Sequence, residues 1–237
     1  MKIKLFTTTS KNDSLRFLLD LLDPELDLLP EYSGAKDYWL FHDNYLAAKV
    51  LREPHPDISQ RITRAMKAFG GERSGKIEIL FDEAATPLPF HLPELTTVKT
   101  IGDKQIRTEV LTDKIAAGWE NYADLLFFAT LAERTNDPKI AAVHFHQALS
   151  MWDGKGFMDA ATRAMQVYAA YKLALALIVS KKLNQPLPMD KIIWTQLQSL
   201  RHTSGGFITD YDRDGKPNGV PNVETTSIII HAISIHE

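Results

Sequence analysis

The sequence predicts a mainly helical single domain over residues 1–237, built of helical hairpins with a small β excursion at about 76–111. Three observations predict it. Apolar residues recur at helical spacing over most of the chain. Capping and breaker residues cut that pattern into about eight segments. One stretch departs from it, with Pro87, Pro89 and Pro93 followed by β-prone runs. The length suits one large domain or two small ones and is enough to bury a sizeable core. Lys+Arg of 27 against Asp+Glu of 30 leaves a charge of −3, which argues against a dominant nucleic-acid surface. The absence of cysteine excludes disulfides, thiol nucleophiles and Cys-ligated metal centres.

The elements follow in order. Ser14 to Leu22 reads as a helix ended by Pro24, and Tyr38 to Leu51 as a second closed by Pro54 and Pro56. Asp57 is the natural cap of a third, which stops at Gly70-Gly71. Lys76 to Phe81 looks like a strand. Thr96 to Ile101 and Gln105 to Leu111 flank Gly102-Asp103-Lys104 as a hairpin. Too few residues are β-prone here to bury a core of their own, so this is an insertion. Helices return over Glu120 to Thr135 and then to Met151, the latter capped by Asp137 and started by Pro138. Asp159 to Lys182 is the longest, Asp190 to Leu200 follows, and Glu224 to Ile235 is the last. The most apolar stretch, Ala169 to Val179, is interrupted by Lys172 and falls short of the roughly 20 apolar residues a membrane span needs. No secretory signal is read at the amino terminus, so the expected location is cytoplasmic, a secreted protein freed of its signal peptide being the alternative.

Self-comparison shows a repeat. His42-Asp43-Asn44-Tyr45 recurs as Trp119-Glu120-Asn121-Tyr122, each before an apolar helix. Gly156-Phe157-Met158-Asp159 matches Gly206-Phe207-Ile208-Thr209-Asp210, 50 residues on. The pattern predicts hairpins arranged about a common axis, with helices led by Asp43, Glu120, Asp159 and Glu224 inside and their partners outside. Gln198 and Gly205-Gly206-Phe207, then Val223-Glu224-Thr225-Thr226-Ser227 and an apolar helix, resemble the repeat of the α/α-toroid proteins. That group holds the terpenoid cyclases, the protein prenyltransferase β-subunits and, more distantly, the six-hairpin glycosidases and polysaccharide lyases. Tyr38-Trp39-Leu40 with Asp43-Asn44 is similar to the helix-opening segment of the six-hairpin sugar enzymes. The resemblance covers the helical two thirds of the chain and implies a toroid or partial toroid. The chain departs from it in three ways. Eight helices make four hairpins rather than five or six, the aspartate-rich cyclase motif is absent, and a Cys-containing zinc site cannot be assembled.

If the inner helices open into one mouth, Asp43, Glu120, Asp159 and Glu224 surround it as candidate catalytic acids. Asp43 and Glu120 are the expected acid/base pair, and Asp124 lies one turn beyond Glu120. Glycoside cleavage needs two such carboxyl groups, one protonated and one ionised. First-turn acids also satisfy helix N–H groups, which is the structural alternative for each. Trp39, His42, Tyr45, Trp119, Tyr122, Asp124 and Trp152 are the candidate substrate-binding residues. Aromatic rings stack on sugar faces, though the same rings also fill helical cores. Asp210, Asp212, Asp214 and Asn218, with Gly215, follow the first half of a Ca²⁺ loop but put Pro221 where the last ligand belongs. An Asp/Gly-rich turn is the equal alternative. The expectation is therefore a carbohydrate-active hydrolase or lyase with no required cofactor and an optional Ca²⁺ ion. It binds an oligosaccharide or other small molecule, not nucleic acid or membrane. A non-enzymatic binding domain is the alternative. An unclosed ring leaves an apolar edge, which favours a homodimer.

Overall fold

The computed structural model describes residues 8–71, 76–83 and 88–237. The amino-terminal Met1–Phe6 segment, Ser74-Gly75 and Pro87 lie outside the described residues. Two kinds of helix alternate along the chain. Helices α2 (Phe41–Leu51), α4 (Ala123–Glu133), α7 (Ala170–Leu183) and α9 (Val223–His236) are buried on almost every side. In α7 each residue from Leu173 to Val179 is buried, and in α9 each from Thr225 to Ile230. Sequences apolar all round are stable only inside a core. Helices α3 (Pro56–Ala68), α5 (Pro138–Ser150) and α8 (Asp190–Ser199) bury single faces, such as Ala141, Phe145 and Ala148 in α5. They are the solvent-side partners.

Each inner helix packs on one outer helix: α2 on α3, α4 on α5, α7 on α8, and α9 on α1 (Thr8–Leu21). The inner helices pack in a row, α4 on α7, α7 on α9, and α9 on α2. A 3₁₀ turn, Ile77–Phe81, touches both α4 and α2, and the Leu80 carbonyl lies 2.8 Å from His231 Nε2 of α9. Ile77 and Leu80 of that turn are both buried.

That turn corrects the strand expected at 76–81. Alternation would put Ile77, Ile79 and Phe81 on one face, but the best-buried apolar pair is Ile77 and Leu80, three apart as a 3₁₀ turn requires. The β insertion is instead a long hairpin, β2 (His91–Ile101) and β3 (Lys104–Ile115), turning at Gly102 with φ +61°. A two-residue strand β1 (Trp39–Leu40) runs parallel to β3, with Trp39 opposite Ile106.

The long helix expected from Asp159 is broken. Asp159 caps a short α6 (Ala160–Met165), Gln166 turns left-handed with φ 60°, and β4 (Tyr168–Ala169) pairs with β5 (Phe207–Tyr211) before α7 begins. The ladder to β5 takes the backbone that would have continued the helix. β5 then pairs with β6 (Pro217–Asn222), a hairpin the sequence reading treated as a loop. The third helix is capped at His55 with Pro56 first, not at Asp57.

The Gly-Phe repeat is structural. Asp153 N–H donates to the Gly156 carbonyl, and His202 N–H to that of Gly206. Phe157 bridges Trp152 as Phe207 bridges Arg201. Both glycines leave room for an aromatic ring that a Cβ would strike, Tyr168 at one and Phe17 at the other. The Asn-Tyr match is a register coincidence. Asn44 is inside α2 and ties Leu29 and Leu40 through three hydrogen bonds, whereas Asn121 ends a 3₁₀ turn (Trp119–Asn121) before α4.

Candidate functional site

The four inner helices start alike. Each is entered from an extended residue (Leu40, Tyr122, Ala169 or Asn222), so its second residue occupies an equivalent first-turn position. Those residues are His42, Asp124, Tyr171 and Glu224, and Asp43 and Lys172 come one position later. Tyr171 Oη donates to Asp124 Oδ2 at 2.9 Å, and Lys172 Nζ lies 3.8 Å from Asp124 Oδ1. Glu224 is within electrostatic reach of Tyr171, Asp124 and Asp43. Of the expected acids, Asp43 and Asp124 are thus linked electrostatically through Glu224.

Asp43 is the group whose setting is hardest to account for by stability alone. It is 0% exposed, yet neither carboxyl oxygen accepts a hydrogen bond among the described residues. His42 Nε2 stands 3.2 Å from its Oδ1 without the alignment of a hydrogen bond, and His42 Nδ1 is buried and unpaired as well. Burial drives the Asp43 pKa well above the usual carboxylate range, and Glu224, Glu31 and Glu109 push the same way. Burial likewise raises Glu224, to about 7, against the opposing pull of Lys76 and with help from Glu31, Glu109 and Asp124. His42 is held low by burial, so it stays neutral. Tyr171 is pushed far up by burial and the surrounding carboxylates, which keeps its O–H a donor.

Asp159 is treated in the opposite way. It too is fully buried, but its oxygens accept from Thr162 N–H at 3.0 Å, Ala123 N–H at 3.0 Å and Lys172 Nζ at 2.5 Å. Burial resists its charge, but Lys172 and the two backbone N–H groups hold its pKa below the usual value. It reaches the mouth only through Lys172.

The remaining expected residues separate clearly. Glu120 does not open an inner helix. It lies exposed in the 3₁₀ turn beside α5, its carbonyl accepting from Gln147 and its charge acting on His144. Asp124, expected one turn beyond Glu120 in the same helix, stands instead in the first turn of α4. Trp39, Tyr45 and Trp119 are core residues: Trp39 under Lys104, Tyr45 bonded to Glu83, and Trp119 edge-on to Phe90. Trp152 is half-buried against Phe157, and Tyr122 is exposed. The stacking platform expected for a sugar is therefore not assembled from these rings.

The residues of the calcium-like loop do not converge. Asp212 Oδ1 accepts from the N–H groups of Asp214 and Lys216, closing the β5–β6 turn. Asp214 lies exposed, 3.9 Å from Lys216, and Asn218 is exposed on β6 opposite Asp210. Among the described residues no three His, Asp or Glu side chains are grouped to hold a metal ion. The donor set is that of a self-capped turn. Asp210 itself stands beside the start of α7, raised by burial and countered by Thr209 and Lys172.

Three members of the site carry no sequence signal. Glu31 precedes α2 by a loop, and its carbonyl accepts from Val223 N–H. Glu109 comes from the middle of β3 and Lys76 from just before the 3₁₀ turn. A cavity of about 390 Å³ opens beside the mouth between α2 and α3. His42 and Glu109 line it with Lys49, Arg52 and Lys67. His42 thus stands between that cavity and Asp43. No protein-family model matches the chain, and no curated protein or solved structure does either.

Proposed function

We propose that the chain is an acid–base enzyme of the glycosidase or lyase type, working at the mouth of a short α/α toroid of four inner helices. The observation that carries this reading is the buried, unpaired Asp43 beside Glu224. A carboxyl group denied both water and partners costs about 1–3 kcal/mol or more, a cost that a purely structural site avoids. Groups so perturbed cluster where proton transfer is needed.

The roles differ from those expected of Asp43 and Glu120. Glu224 is half-buried at the mouth and raised to about 7, so it carries a proton near neutrality and serves as the acid. Asp124 accepts from Tyr171 and faces Lys172, the environment of a carboxylate that steadies positive charge. Asp43 lies too deep to touch substrate. It acts through Glu224, because two desolvated carboxyl groups within reach of each other do not both ionise. A general acid contributes about 10²–10⁴-fold, so Glu224→Gln should lose that much kcat/KM on an oligosaccharide that the wild type cleaves. Full turnover by Glu224→Gln and Asp124→Asn would remove the proposal. Glu224→Gln should in addition let Asp43 titrate at lower pH, since Asp43 loses a neighbouring carboxylate.

The second reading, a ligand-binding domain without catalysis, is favoured by the cavity beside α2. Its mixed lining, with Lys49, Arg52 and Lys67 as well as Glu78, Glu109 and apolar side chains, would hold a ligand without proton transfer. Saturable binding with no turnover across a panel of oligosaccharides would select it.

A further inference from the structure

Strands β2 and β3 are the longest among the described residues, and β3 lies between β1 and β2. That makes β2 an edge strand, its outer side unpaired among the described residues. Eight of its eleven residues are exposed, Leu92 and Leu95 each by 44%. An exposed edge of that length is a template for another strand. Which of its backbone groups face outward follows from β3. Gln105 N–H donates to the Lys36 carbonyl on the β1 side, so Lys104, Ile106, Thr108 and Val110 turn their backbone groups toward β2. Their partners Ile101, Lys99, Thr96 and Glu94 turn inward to meet them. The irregularity between Thr97 and Lys99 adds one residue, which leaves Pro93, Leu95, Val98 and Thr100 facing out.

We infer that β2 pairs antiparallel with β2 of a second copy of this chain, about a two-fold axis between Thr96 and Thr97. The outward residues match themselves in that register: Pro93 stands opposite the partner's Thr100, and Leu95 opposite the partner's Val98. Between them Glu94 faces the partner's Lys99, and beyond them Leu92 faces the partner's Ile101. Symmetry makes each pair occur twice, so opposite charges and apolar side chains meet on both halves of the ladder. Glu94 and Lys99 are exposed and make no ion pair among the described residues. A slip of two residues sets Glu94 against Thr97 or Ile101 and leaves both charges unanswered. Pro93 has no N–H to give, which ends the new ladder there. The complementarity is of β2 with itself, so the partner it fits is a copy of the chain. This inference is independent of the acid–base reading.

The test is sedimentation velocity of the full chain from about 1 to 200 μM, the span over which a small interface of this kind associates. The wild type should pass from monomer to dimer across it. Glu94→Lys and Lys99→Glu each set like charges opposite one another twice, and each should weaken the dimer at least about tenfold. Mixed together, the two variants should associate again, because the two lysines of one then face the two glutamates of the other. Far-UV circular dichroism of each variant shows that it is folded. Should either fail to fold, amide hydrogen exchange of the wild type decides. The Leu95 and Thr100 N–H groups should then exchange more slowly at the high concentration than at the low one, and equal rates overturn the inference. A wild type that stays monomeric throughout, or a dimer that neither variant weakens, also overturns it. Variants that are weakened but do not recover on mixing contradict the antiparallel register, and the inference falls with it.

Discussion

Asp43 and Asp159 are both fully buried, and the protein handles them in opposite ways. Asp159 has three donors, including the ammonium of Lys172, and its pKa is held down. Asp43 has none among the described residues and its pKa is driven up. Burial is the same in both, so burial alone does not decide what a carboxylate is for. What decides it is whether the fold supplies partners. The pair Asp159–Lys172 joins α6 to α7 and caps the first N–H of α4, a structural task. Asp43 joins nothing.

Removing one half of each arrangement should separate them most. Lys172→Met leaves Asp159 buried beside an apolar chain, and urea unfolding at pH 7 should show a loss of about 3–5 kcal/mol. Asp43→Asn replaces a buried carboxyl group that has no hydrogen-bond donor, and the same measurement should show stability unchanged or raised by about 1 kcal/mol. If both variants lose several kcal/mol, the distinction between the two aspartates is wrong.

Stability against pH offers a second, smaller contrast. Glu224 is raised in the folded state, so between about pH 4.5 and pH 7 the folded chain holds more protons than the unfolded one. Stability should fall by about 1–3 kcal/mol as pH rises through that window, and Glu224→Gln should flatten the slope. Asp159 is lowered, so its contribution is complete above the ordinary carboxylate pKa and is lost as pH falls through its folded value. The Lys172→Met variant should lose that acid-side decline. A wild-type curve that rises steadily from pH 4.5 to 7 would contradict the assignment of Glu224.

The smallest effect concerns the β5–β6 turn. Because Asp212 is spent on two backbone N–H groups, Asp212→Ala should cost about 1 kcal/mol, like the loss of a cap. Added Ca²⁺ or EDTA should leave the melting temperature where it was. A Ca²⁺-dependent rise that disappears in Asp212→Ala would restore the metal reading of that loop.

Much of the architecture was legible in local chemistry. Asp137-Pro138 marked the start of α5 because a cap and a first-position proline act within one turn. The Gly156-Phe157 and Gly206-Phe207 pair marked two equivalent turns because each glycine lies under a specific ring. What was not legible depends on pairing over distance. Gln166 to Ala169 reads as helix until Tyr211 is placed beside Tyr168. Lys76 to Phe81 alternates like a strand, but the core reads it in threes.

The candidate site divides the same way. Asp43 and Glu224 were visible as first-turn acids, whereas Asp124 was read one turn too deep. Glu120 was misplaced because the match to Asp43 aligned a residue before one helix with a residue inside another. The correct register aligns Asp124 with His42, each the second residue of its helix. Glu31 and Glu109 enter from a loop and a strand whose positions are set by Asn44 and by the β1–β3 pairing, neither of which a local pattern contains. The aromatics failed for a different reason: at a helix start, Trp39 and Trp119 serve the core as readily as a binding surface.

The most direct test is a carboxyl-carbon NMR titration that follows Asp43 and Asp159 in one sample. The account predicts that Asp43 titrates above the ordinary carboxylate range, coupled to Glu224, while Asp159 remains ionised well below it. Two aspartates titrating together at or below pH 4 would contradict the account.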